Sequence, residues 1–211
     1  MKNKWMEHAR VSSGNAKSAD VTKVDSSQRK VKAVDFAPRS RKVKAEAFGG
    51  VCKAFQLLQN LTSGSDLATY GKRLGIKIDG IFAKDQLYEK IKNKTLPEGD
   101  YIVNIGTLES GGTHWCAFRY TPNDCFWSCS FGGYPLQLVE DLTENQKLYF
   151  NKSQYQDSEA VSCGFYALAC LKALQNRKSS SPVESFKKYI NQFHKKKLLD
   201  NDKILFDFVF S

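Results

Sequence analysis

The 211-residue sequence predicts an α+β domain, a small mixed sheet flanked by helices, preceded by a basic arm. Three observations predict it. Amphipathic helical spacing dominates residues 51–92, and short apolar and aromatic runs of strand character fill 101–131. Cys163–Leu174 is apolar on nearly every side, as a helix at the centre of a domain would be.

The arm comes first. Residues 1–45 hold twelve Lys and Arg against four Asp and Glu, which is +8 of the chain's formal +10. With only two aromatics (Trp5 and Phe36) and no helical or strand period, residues 1–47 read as a disordered basic arm. Such an arm favours polyanions through counterion release, so DNA is the expected partner; a merely solvated tail is the alternative. Residues 48–63 read as a hinge, Phe48-Gly49-Gly50, and a short amphipathic helix carrying Val51, Phe55, Leu58 and Leu61. Residues 64–211 form the expected main domain.

Within that domain, Ser65 is placed to cap a helix over Asp66–Leu74 that Gly75 ends. Lys84–Lys92 reads as a further helix and Pro97–Asp100 as a turn. Tyr101–Gly106, His114–Tyr120 and Cys125–Phe131 read as strands, the last two joined by a turn at Thr121-Pro-Asn-Asp124. Val183–Phe193 follows the central helix as an amphipathic helix, and Ile204–Phe210 reads as a last strand.

The N-terminus is polar and charged, unlike a signal peptide, and no apolar run reaches the roughly 20 residues that cross a bilayer. Six cysteines follow no disulfide-scaffold pattern, so free thiols in a reducing compartment are expected, with no membrane partner and no secretion.

Cys163 opens the central helix, and thiolates are favoured at helix N-termini and beside an imidazole. Of three histidines, His8 lies in the arm and His194 in a Lys-rich tail, which leaves His114 as the base. Gln156, seven residues before Cys163, offers an amide to an oxyanion together with the Cys163 N–H. Trp115 offers a flat wall to a substrate groove, and Gly164 permits close approach beside the nucleophile.

Gly111-Gly-Thr-His-Trp-Cys-Ala-Phe resembles the histidine motif of the adenovirus maturation protease (adenain) family. Gln156–Gly164 is similar to that family's glutamine and nucleophile motif, and Ser65-Asp-Leu with Leu74-Gly75-Ile resembles the start of its catalytic domain. The likeness spans about residues 64–175 and extends to the wider SUMO-protease-like clan, most closely its viral branch.

The resemblance implies an adenain/SUMO-protease-like fold and a cysteine endopeptidase that processes capsid or core precursors during virion maturation, cutting after Gly or another small residue. It implies location in the virion and the host cytoplasm or nucleus, and it needs no cofactor. An isopeptidase acting on ubiquitin-like modifiers and an inactive fold serving as a nucleic-acid-binding scaffold are the alternatives. Ala47-Phe48-Gly49-Gly50 also resembles a cleavage site of this family, with a flexible hinge the favoured reading.

The family places Asp, Glu or Asn where this chain has Cys129, in Ser128-Cys129-Ser130-Phe131-Gly132. A neutral thiol accepts hydrogen bonds poorly, so Cys129 is expected to orient His114 weakly, with Asp124 as a possible substitute. A zinc site from His114, Cys116, Cys125 and Cys129 fits by residue type, but Cys-x-x-x-Cys within one strand is poor ligand spacing, and no metal is expected.

Overall fold

The computed structural model describes residues 49–176 and 181–210. The basic arm, and with it DNA binding and the Ala47–Phe48 part of the hinge, lies outside the described residues.

Helix α1 (Val51–Leu58) sends Ala54 and Leu58 into the main core, both fully buried. Helix α2 (Gly64–Leu74) starts from Ser63 rather than Ser65. Ser63 Oγ accepts the Asp66 N–H at 3.2 Å, and the Asp66 carboxylate accepts the Ser63 N–H at 2.9 Å. Gly75 ends it in the left-handed conformation (φ 69°) that a Cβ would disfavour. Strand β1 (Gly80–Ala83) leads directly into α3 (Lys84–Lys92), where Gln86 Oε1 accepts the Ala83 N–H at 2.9 Å.

Strands β2 (Gly99–Asn104), β3 (Trp115–Tyr120) and β4 (Asp124–Ser128) form an antiparallel meander. Beyond them come α4 (Gln137–Leu142), β5 (Lys147–Phe150), α5 (Cys163–Gln175), α6 (Pro182–Asn191) and α7 (Asn201–Val209). The sheet order is β1-β2-β3-β4-β5, with the outer strands pairing in parallel and the middle ones antiparallel. The fold is therefore α+β with a mixed five-stranded sheet.

Strand alternation divides the core in two. Ile102, Ala117 and Phe126 face α5, α6 and α7, while Tyr101, Val103, Cys116, Phe118, Cys125 and Trp127 face the opposite side with Leu87 of α3 and Val139 of α4. Helix α5 lies across β3 and is buried along nearly its whole length, as its all-round apolar sequence requires.

Ile204–Phe210 is not a strand. Ile204–Val209 lies in α7 and Phe210 caps it, with Leu205, Phe206, Val209 and Phe210 buried, residues that share one side of a helix and not one side of a strand. Strands β1 and β5 are four residues each, too short to carry a period in sequence.

A buried cluster ties the C-terminal end of α5 to the sheet. Arg119 and Asp100 are cross-strand partners and meet at 2.5 Å with both side chains less than a tenth exposed. Arg119 also donates to the Leu174 carbonyl at 2.6 Å, capping α5 with positive charge, and Gln175 donates to Asp100 at 2.8 Å. Removing one partner of a buried pair leaves an unpaired charge and costs about 3–5 kcal/mol. Arg119→Met should therefore lower unfolding stability by about that amount in urea titration, and adding Asp100→Leu should restore most of it. Equal stability of Arg119→Met and wild type would show that the cluster does not anchor α5.

Candidate active site

Cys163 is the first residue of α5, 9% exposed, and it opens on a groove of about 640 Å³. One wall is the segment before α2, with Leu61, Thr62 and Gly64, together with Trp115. The Trp115 Nε1–H donates to the Thr62 carbonyl at 2.9 Å and so fixes this wall. The opposite wall is the β2–β3 loop, with Leu108, Gly111 and Gly112. Buried Asn104 shapes that loop, its Oδ1 accepting the Gly106 and Thr113 N–H groups at 2.9 and 3.0 Å. Gly112 (φ 79°) rests on the Asn104 amide, where a Cβ would stand 2.8 Å from Nδ2.

Gly164 has a structural reason to be glycine. It is buried, and an added Cβ would collide with Thr62 Oγ1 and stand 2.7 Å from Leu67 Cδ2. The close approach it permits is that of the groove wall to α5.

His114 precedes β3, is 3% exposed and stacks on Phe131 with ring centroids 4.4 Å apart. Its Nε2 meets Cys129 Sγ at 3.4 Å. Nδ1 is buried without a hydrogen bond of ordinary geometry, which leaves that nitrogen to Cys163, whose sulfur is close enough to act on the ring's protonation. Burial opposes charge on the imidazole, but the influence of the Cys129 and Cys163 sulfurs outweighs it and raises the pKa to about 9.

The Cys129 sulfur is not the poor acceptor expected of a neutral thiol. A hydrogen bond from Cys116, joined by the His114 ring and the Gly133 N–H, outweighs burial and lowers its pKa to about 4. These surroundings favour the thiolate facing His114, an anion as a carboxylate would be. Cys116 itself is held neutral, because full burial pushes its thiol well up. Asp124 does not substitute. It sits at the far end of β4 against Lys147, four residues and about 13 Å of strand rise from Ser128.

Sequence reasoning missed what holds Cys129. Asn151, 5% exposed, accepts the Cys129 N–H at 3.1 Å and donates to its carbonyl at 2.6 Å, and the Gly132 N–H reaches the same carbonyl at 2.8 Å. A polar residue just past the apolar β5 was the one available signal. Next in the chain, Ser130 turns to Gln156, its hydroxyl donating to Oε1 at 2.5 Å and its carbonyl accepting the Gln156 N–H at 3.1 Å. Fully buried Gln156 donates one amide hydrogen to the Ala160 carbonyl at 2.6 Å, and its NH₂ carries a second. The pair Cys129–Ser130 therefore sets both the imidazole and the glutamine.

The N-terminal end of α5 is also pinned. Asp202 of α7 accepts the Ser162 hydroxyl at 2.7 Å and the Tyr166 hydroxyl at 3.2 Å. Burial raises the Asp202 pKa against these two hydrogen bonds.

Of the four residues considered for zinc, three come together. One donor atom each from His114, Cys116 and Cys129 lies within 4.8 Å of the others. Cys125 stands apart, its thiol directed to Gln146 Oε1 at 2.8 Å.

No protein-family model matches the chain, and no curated protein matches it. Among solved structures, the central domain of the uncharacterized Lpg1148 protein from Legionella pneumophila is similar over 71% of this chain and 94% of that one, at 16% identity and a TM-score of 0.41. A structure of an AvrA deletion variant with IP6 and CoA is similar over 79% of this chain and 78% of that one, at 11% identity and a TM-score of 0.39.

Overpacking a close-fitted contact costs about 1–3 kcal/mol. Gly164→Ala should lose that much stability in denaturant titration and should slow alkylation of Cys163, because the groove wall is displaced. A variant as stable and as reactive as wild type would show that Thr62 and Leu67 yield freely.

Proposed function

We propose that the chain is a cysteine endopeptidase of the adenain type, with Cys163 as nucleophile, His114 as proton carrier and Cys129 as the anionic third member. One observation carries the reading. A buried imidazole meets a backbone-clamped sulfur at Nε2, and its protonation is coupled to the sulfur that opens α5 onto a groove. Cys163 is assigned the attack because it lines the groove and Cys129 does not.

In the proposed reaction the Cys163 sulfur bonds to the scissile carbonyl carbon and the C=O pair moves onto oxygen. The Cys163 N–H and the free Gln156 amide hydrogen receive that oxyanion. Collapse breaks the C–N bond as His114 gives its proton to the leaving amine. Water then attacks the thioester, the neutral ring takes its proton, and Cys163 leaves as the acid product is released. Cys129 stabilises the imidazolium in each half-reaction, as a carboxylate would.

The substrate proposal follows from the groove. Trp115 on one side and the Gly111–Gly112 loop on the other favour an extended peptide with a small residue at the cut. Together with the motif resemblance, this points to cleavage after glycine in capsid or core precursors during virion maturation, with the arm holding the enzyme on DNA.

Hydrolysis of a glycine-containing precursor peptide tests the reading. Cys163→Ala and His114→Ala should each lose about 10³-fold or more in kcat. Cys129→Ala should lose about 10²-fold, whereas Cys129→Asp should retain most activity because it restores an anion. Iodoacetamide at mild pH should label Cys163 first, and only while His114 is present. Labelling of Cys129 in its place, or hydrolysis that survives Cys163→Ala, would overturn the assignment.

The arm has a separate test. Deleting residues 1–47 should weaken binding to a DNA duplex in fluorescence anisotropy and flatten its salt dependence. Unchanged affinity would remove DNA from the proposal while leaving the peptidase intact.

A further inference from the structure

Three donor atoms sit together behind the imidazole, and strand pairing puts them there. Ala117 of β3 faces Ser128 of β4, so the next pair outward sets Cys116 opposite Cys129. His114, two residues before Cys116, turns its Nε2 to the same sulfur at 3.4 Å. All three donor atoms lie within 4.8 Å of one another. Tetrahedral zinc with Zn–S near 2.3 Å and Zn–N near 2.0–2.1 Å needs ligand atoms about 3.5–3.8 Å apart. The nitrogen–sulfur edge, at 3.4 Å, is within about 0.1 Å of that range, and with no edge longer than 4.8 Å movements of about 1 Å complete the triangle.

We propose that His114, Cys116 and Cys129 form a zinc site, and that zinc bound there silences the enzyme by taking the histidine nitrogen that faces Cys129. Two sulfurs and an imidazole select zinc over magnesium or calcium, which prefer oxygen. Three protein ligands leave the fourth tetrahedral position to a water. Gly133 keeps space beside the ligand sulfur, since a Cβ there would stand 3.2 Å from Cys129 Sγ. Phe131, stacked on the imidazole and 38% exposed, is the side chain whose swing would admit the ion.

The inhibition follows from the two ring nitrogens. With zinc on Nε2, the ring keeps its proton on Nδ1, the nitrogen left for Cys163, and cannot accept another. Cys129 at the same time gives its lone pair to the metal rather than to the imidazolium. This consequence rests on the peptidase reading, but the metal site itself does not.

Cobalt(II) titration of the reduced, full-length protein tests binding, because sulfur-to-cobalt charge transfer reports thiolate ligation directly. One equivalent should bind to wild type and equally to Cys163→Ala. Cys116→Ala, or Cys116→Ser should the alanine variant not fold, should bind on the order of 100-fold more weakly. Chelator-buffered zinc should inhibit peptide hydrolysis by wild type at concentrations about 100-fold lower than by the Cys116 variant, each compared with its own metal-free rate. Equal zinc sensitivity of the two, or cobalt binding lost in Cys163→Ala, would assign the effect to ordinary poisoning of the nucleophile and overturn the site. Were no peptide hydrolysed, the cobalt spectra alone would decide the metal site, so the two proposals fail separately.

Discussion

The fixed position of α5 across β3 is the constraint on which the rest depends. A helix that starts with the proposed nucleophile must not slide or rotate, since a displacement of about 1 Å at a reacting group costs on the order of 10² in rate. This helix is held at both ends by different chemistry. At its C-terminus Arg119 joins the last carbonyls to Asp100, and at its N-terminus Asp202 gathers Ser162 and Tyr166. Between these anchors the apolar faces pack on Ala117, Phe126 and Ile102. The polar anchors set register along the helix axis, which apolar burial alone leaves loose because it has no direction.

The second constraint links the proposed nucleophile's partners to one another. Asn151 closes two hydrogen bonds on the backbone of Cys129, and Ser130 beside it holds Gln156. One short segment after β4 thereby sets the imidazole from behind and the glutamine from the side. A change in that segment would move both together, so the two are mechanically one unit although they lie 42 residues apart in sequence.

What was legible in the sequence tracks the range of the interactions involved. The helix at 84–92 follows from local pattern and that at 163–175 from an unbroken apolar run, and the structure starts each where the sequence does. His114 and Cys163 stood out as candidates because residue type and motif spacing left few others. Strands β1 and β5 were not readable, since each is four residues long and held by parallel pairing to a strand remote in sequence. Ile204–Phe210 misled because its aromatic content suits a strand by propensity. Packing decided otherwise, with Asn201 anchoring the helix by donating to the Tyr155 and His194 carbonyls at 2.7 Å each. The His114–Cys116–Cys129 cluster was misjudged for a related reason. Spacing along one strand said nothing of the neighbour across the ladder.

Cys129 shows how far a residue's chemistry depends on what surrounds it. Judged by type, a thiol is a weak acceptor and leaves the histidine loosely held. In place, it has a neutral thiol on one side, an imidazole on another and a backbone N–H on a third, all favouring the anion. Cys116 matters most among them, and it can act this way because its own burial keeps it protonated and therefore a donor. The pair divides the roles that a carboxylate combines: one sulfur carries the charge, and the other stabilises that charge by hydrogen bonding. Two sulfurs in these roles keep an affinity for soft metal ions that a carboxylate at the same position would not have. On the readings proposed above, one cysteine at position 129 serves both as the anionic third member and as a ligand of the metal site beside it.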